Sequence, residues 1–216
     1  MDRTQLLAYE TGYHLGDGHL QIHNRVHRVT YCGDSRKDTA FCERILPKII
    51  WQLYKVRPRI YKRKHENTIL VVVNSKKVVE EKIRLGLPAG NKLKLQAVPV
   101  WISNELVPHF ICGLADADFS VTFKKNRKGI ACEPRIEYFT NNKVLAEFVR
   151  NNLQKLGFRL AFEDTFSHNK YKEYRIRMYG KAMLNKWMEL IGFQNPKHLR
   201  KIKTFQKLGY YTRSFS

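Results

Sequence analysis

Thr11-Gly12-Tyr13-His14-Leu15-Gly16-Asp17-Gly18 and Cys112-Gly113-Leu114-Ala115-Asp116-Ala117-Asp118-Phe119 are the two stretches on which the reading turns. Gly12 and Gly113 are 101 residues apart, and so are Asp17 and Asp118. Residues 68–87 correspond in the same way to residues 174–193, at an offset of 106. The drift fits a longer hairpin in the second half. Self-similarity at this period means two copies of one supersecondary unit. The 216 residues therefore divide into halves at 1–87 and 104–208, with a linker at 88–103 and a short tail at 209–216.

Each half reads in the same order. A helix opens it, at 4–16 and again at 108–117. Asp2 and Gln5 have capping-box spacing, and Pro108 suits a first turn. Alternation follows. Leu20 and Ile22 face a core while His19, Gln21 and His23 face out; Val121 and Phe123 face in while Ser120, Thr122 and Lys124 face out. Asn24-Arg25 and residues 126–129 supply turns. The next helices are 35–54, where Pro47 predicts a kink or split, and 141–156. Second hairpins pair 57–63 with 68–73 and 158–164 with 173–179. Closing helices are expected at 75–85 and 181–191. The order is αββαββα, twice.

The opening helices carry small residues four apart: Ala8, Gly12 and Gly16 on one, His109, Gly113 and Ala117 on the other, the histidine being the bulky exception. Residues four apart share a face, so the two backbones can approach closely around a pseudo-twofold axis. Asp17 and Asp118 then meet at one end of the interface. Two carboxylates brought together need a positive charge between them. A hard divalent cation such as Mg²⁺, held by one or two carboxylates plus phosphate, fits that need.

Composition points the same way. Forty Lys and Arg against nineteen Asp and Glu leave a net charge of +21. Such an excess on a folded chain implies a polyanionic partner, DNA or RNA. Hydrophobic residues at 43% exclude wholesale disorder. The apolar runs are too short for a membrane helix and the first residues do not form a signal peptide. Cys32, Cys42, Cys112 and Cys132 form no CxxC pair, so reduced thiols and an intracellular protein are expected, while the charge places it at nucleic acid, DNA or RNA. His14, His19, His23 and His27 lack the cysteine or carboxylate that completes a zinc site. Trp51, Trp101 and Trp187 read as core.

The two motifs resemble those of the LAGLIDADG homing endonucleases in their single-chain, double-motif form. The resemblance covers the chain before its tail. It implies an α+β fold with a pseudo-twofold duplicated αββαββα order and two four-stranded antiparallel sheets forming a DNA-binding saddle. It also implies a monomeric, site-specific endonuclease. Such an enzyme hydrolyses one phosphodiester on each strand across the minor groove of a long, partly asymmetric duplex target, leaving short 3′ overhangs. Asp17 and Asp118 would hold Mg²⁺, with Mn²⁺ or Ca²⁺ as alternative occupants, helped by the carbonyls of Gly16 and Ala117. Lys94 and Arg200 are the implied transition-state cations, with Lys201 and Lys203 as rivals for the second role. An RNA-binding intron maturase, with intron RNA as partner, and an inactive DNA-binding protein are the alternatives on this fold.

The outward strand positions supply the reading surface. They are Gln21, His23, Arg28, Thr30, Arg57, Arg59, Tyr61 and Arg63 in the first half. In the second they are Thr122, Lys124, Arg135, Glu137, Arg159, Glu163, Arg175 and Arg177. Arg reads guanine, Gln adenine and Glu cytosine in a major groove. Two departures stand out. Asp116 has Leu15 as its counterpart and reads as structural or capping. Phe119 stands where a motif glycine is usual, so strained or altered backbone is expected there.

Overall fold

The computed structural model describes residues 1–63, 66–166 and 171–212, without the side chain of Lys94. The chain forms two compact units. The first holds residues 1–117 with 194–196; the second holds 118–193 and the chain from Lys197 onward.

In the first unit α1 (Arg3–Asp17) runs into β1 (Gly18–His23) and β2 (Val26–Asp34). Asp2 caps α1, accepting from the amides of Thr4 and Gln5, while the Gln5 side chain returns to the Asp2 amide at 3.0 Å. The expected helix at 35–54 is split. A π-helical turn, Phe41–Ile45, leads into α2 (Leu46–Tyr54), and Pro47 sits in the first turn of α2, where no amide donor is needed. Next come β3 (Arg59–Arg63), β4 (Thr68–Asn74), α3 (Lys76–Arg84) and a 3₁₀ turn at Lys92–Lys94. The four strands are antiparallel in the order β1-β2-β4-β3.

α4 (Val107–Asp118) leads into β5 (Phe119–Lys125) and β6 (Ala131–Thr140) of the second unit. α5 (Lys143–Lys155), β7 (Ala161–Phe166), β8 (Lys172–Tyr179), α6 (Lys181–Leu190) and α7 (Pro196–Leu208) complete it. The second sheet, β5-β6-β8-β7, repeats the order of the first. Gly86 after α3 and Gly192 after α6 both have positive φ, 90° and 72°, so the two helices stop on the same left-handed residue.

Several expectations change. α7 extends the repeat by a helix that the first half lacks; His198, Ile202 and Phe205 form its buried face. β3 and β7 start later than expected, which leaves Arg57 and Arg159 ahead of their strands. Ile22 is 48% exposed, because β1 outruns the core near its turn. Trp51 is exposed, with the Arg57 guanidinium over its ring at 5.5 Å, whereas Trp187 is fully buried.

Phe119 is not strained. It opens β5 as a core residue, stacked on Tyr138 with centroids 4.5 Å apart. The glycine at its counterpart, Gly18, has an ordinary φ of −85°. A Cβ on Gly18 would strike the His14 ring. The second half has Ala115 in place of His14, so no corresponding ring stands against Phe119.

Candidate functional site

α1 and α4 meet backbone to backbone. A Cβ on Gly12 would be driven into the Phe110 carbonyl oxygen and to 2.9 Å from the Leu114 amide nitrogen; one on Gly113 would strike the Tyr9 carbonyl. Only glycine permits this approach. The crossing is clasped by Tyr9, whose hydroxyl donates to Asp116 Oδ2 at 2.6 Å. Asp116 also accepts from the amides of Gln194 at 2.8 Å and Asn195 at 3.0 Å, and Asn195 Nδ2 donates to Asp38 at 2.8 Å. Fully buried, Asp116 is therefore a structural anchor.

Each helix ends in its motif aspartate, five residues beyond the crossing glycine, and a strand follows at once. Gly18 pairs with Tyr31, and Phe119 pairs with Tyr138. Asp17 is half-buried and Asp118 exposed. Burial first, then the Asp17 charge, raises the phenol of Tyr13 and the thiol of Cys32. Burial first, then Asp118, does the same to Tyr138. The two carboxylates thus occupy corresponding places in their own units.

Lys92 lies in the same 3₁₀ turn as Lys94. Its ammonium donates to the carbonyl of Gly16, one of the backbone oxygens assigned to the metal. The Lys94 side chain lies outside the described residues. In the second unit Lys201 Nζ donates to the Val121 carbonyl at 3.1 Å, while Arg200 is exposed on α7. The segments 92–94 and 198–200 are not alike in structure: the first is a 3₁₀ turn and the second lies within a 13-residue helix. The donors fit a hard divalent ion. They are carboxylate oxygens at helix C-termini, where the helix dipole also favours positive charge. Among the described residues no group of three His, Cys, Asp or Glu gathers around a point, so protein carboxylates alone do not build a closed cage.

The sheet faces carry most of the expected reading residues. Gln21, His23, Arg59, Tyr61 and Arg63 are exposed on the first sheet, with Arg28 and Thr30 half-buried. Arg28 Nε donates to Asn74 at 2.9 Å. On the second sheet Thr122, Lys124 and Glu163 are exposed, and Arg135, Arg175 and Arg177 are half-buried. Glu137 shares their face but is 8% exposed, because its carboxylate accepts from Thr122 at 3.0 Å and from Arg135 at 3.3 Å.

No protein-family model and no curated protein matches the chain. Solved structures do. I-DmoI, a homing endonuclease, in complex with DNA and Ca matches with a TM-score of 0.62 at 18% identity, over 91% of this chain and 95% of that one. The N-terminal LAGLIDADG domain of DUF199/WhiA matches at 0.61 and 13% identity, over 96% and 88%. The I-LtrWI LAGLIDADG homing endonuclease bound to target DNA matches at 0.57 and 12% identity, over 96% and 90%. The fold is therefore the α+β LAGLIDADG fold, with two four-stranded antiparallel sheets, and the motif resemblance extends to the whole architecture. Among the described residues no helix is long and apolar enough to cross a membrane.

Proposed function

We propose that this chain is a site-specific, divalent-metal-dependent DNA endonuclease that acts as a monomer inside the cell. The observation that carries the reading is the glycine crossing of α1 and α4, with an aspartate at the same distance beyond each glycine. The net charge of +21 supports a polyanionic substrate, and two of the neighbours above are homing endonucleases solved with DNA.

Asp17 and Asp118, with the carbonyl of Ala117 and, once the Lys92 ammonium moves off it, that of Gly16, would hold Mg²⁺, and Mn²⁺ or Ca²⁺ by the same donor chemistry. When bound, the metal supplies an acidified water and charge stabilisation for in-line displacement at phosphorus. The chain's residues do the rest. Lys92 or Lys94 in the first half, and Arg200 or Lys201 in the second, bring a cation to the charge that develops on the phosphate. The strands of each sheet would lie along the duplex. Their edge cations hold phosphates and set register, while the outward residues read base edges. One cut per strand across the minor groove, with short 3′ overhangs, is what the LAGLIDADG resemblance implies for such a pair of acids.

Incubating the chain with a pool of random-sequence duplex DNA and Mg²⁺, then sequencing the breaks, tests the proposal. Breaks at one recurrent sequence support it. Binding to duplex without breaks points to an inactive DNA-binding protein. Retention of structured intron RNA without duplex binding points to a maturase.

A further inference from the structure

The two sheet faces differ in charge, and one residue organises the difference. On the outward face of the first sheet the registered positions hold Arg28, Arg59 and Arg63 against the single acid Asp34. Asp34 is taken up by Arg36 and Lys37, and Arg63 donates to Glu66 of the following turn at 2.9 Å, so this face keeps a smaller cation excess than its strand positions alone suggest. The outward face of the second sheet holds Lys124, Arg135, Arg175 and Arg177 against Glu133, Glu137, Glu163 and Glu173. Four cations face four acids, so this face is nearly neutral within a chain of net charge +21.

Its arginines are tied down. Glu137 sits opposite Arg177 on the neighbouring strand. Arg177 Nε lies 3.2 Å from Glu137 Oε1, an ion pair not aligned as a hydrogen bond, and its Nη1 donates to Glu163 at 2.7 Å. Arg135 donates to the same Glu137 oxygen and lies over Tyr179, 5.0 Å from the ring centroid. Thr122 holds the other oxygen. Arg175 donates to Glu173 at 2.6 Å, and both Arg175 and Arg177 stand 5.6 Å from the Phe139 ring. A guanidinium in this setting has a fixed plane and little freedom to wander to a phosphate.

We propose that Glu137 is a specificity-determining positioning residue, whose carboxylate aims Arg135 and Arg177 at base edges and withholds them from the phosphate backbone. The inference rests on the DNA-binding reading above. The second sheet then draws its discrimination from these paired arginines, while the more basic first sheet adds sequence-independent hold to its own base contacts. A paired arginine leaves its carboxylate only for a partner that repays the broken ion pair. A bidentate guanine edge does so, and a loosely placed phosphate does not. An acid near the groove also penalises wrong sequences.

The test uses the full chain, a random-sequence duplex pool for selection, and one arbitrary duplex for binding at several salt concentrations. Glu137→Gln should bind the arbitrary duplex about fivefold or more tightly, with log K against log salt steeper by about one to two units as freed cations reach phosphates. The same variant should lose base preference over one half of the selected site and keep it over the other. Glu163→Gln, which removes the exposed anchor of Arg177, should show the same changes in smaller measure, and it carries the test if Glu137→Gln does not fold. Variants that keep both the preferences and the salt slope of the wild type overturn the inference while DNA binding stands. A wild-type chain that selects no duplex overturns both.

Discussion

The Tyr9 hydroxyl and Asp116 Oδ2, 2.6 Å apart, join the two motif helices next to the glycine crossing. The two acids of the second motif therefore have separate tasks. Asp116 is enclosed and satisfied by Tyr9 and two backbone amides, whereas Asp118, two residues on, is exposed. Asp116→Ala leaves these buried donors without an acceptor and should cost about 2–3 kcal/mol or more of stability. Urea unfolding measures it. Asp118→Asn should leave the unfolding midpoint nearly unchanged.

A second buried acid behaves differently. Lys82 Nζ lies 2.5 Å and 2.7 Å from the two oxygens of Glu10, and both side chains are fully buried. Glu10 also accepts from the hydroxyls of Tyr31 and Tyr54. Burial lowers the Lys82 pKa while Glu10 opposes the shift. Lys82→Met strands the carboxylate and should destabilise the chain by about 3–5 kcal/mol. Pairing that change with Glu10→Gln should recover part of the loss in the same unfolding experiment.

Gly113→Ala should be more damaging than a surface glycine change. Its Cβ meets the backbone carbonyl of Tyr9, which cannot rotate away as a side chain would. A loss of about 3 kcal/mol is expected. Gly129→Ala, at a turn with φ of 78° and nothing within 4 Å of the added carbon, should cost only its backbone strain, about 1 kcal/mol. Thermal unfolding of the two variants compares them directly.

Asp34 makes a modest acid-sensitive contribution. Hydrogen bonds from the Arg36 side chain and amide hold its carboxyl down to about 2, against an ordinary 3.8. A depressed carboxyl stabilises the fold fully above its unfolded value, and the gain is lost as pH falls toward 2. Solvent screening keeps the gain under about 1 kcal/mol. Asp34→Asn should be less stable than the wild type at pH 6 and should converge with it near pH 2, as followed by circular dichroism.

The duplication was legible because the two glycines and the two terminal aspartates recur at one spacing, and because strand alternation survives on both sheets. Pro47 announced the split helix for the same local reason. α7 was missed because it has no partner in the first half, although His198, Ile202 and Phe205 have helical spacing. Trp51 misled because a large ring can be covered by an arginine on the surface. The place of Glu137 was legible from alternation, but its burial was not. That burial comes from Arg135 and Arg177, and Arg177 reaches it from a strand forty residues away in sequence. Lys92 and Lys94 stood equally close to the motif, and only the fold sets the Lys92 ammonium on the Gly16 carbonyl.

The proposed cleavage depends on the motif carboxylate of each half, Asp17 and Asp118. Mg²⁺-dependent scission of the selected duplex, compared among the wild type, Asp17→Asn and Asp118→Asn, tests it most directly. Double-strand breaks by the wild type are expected, with scission at least about a hundredfold slower in either variant, a loss on the order of that for removing an essential charge-stabilising group. Duplex affinity should be retained in both. Scission at the wild-type rate by either variant would contradict it.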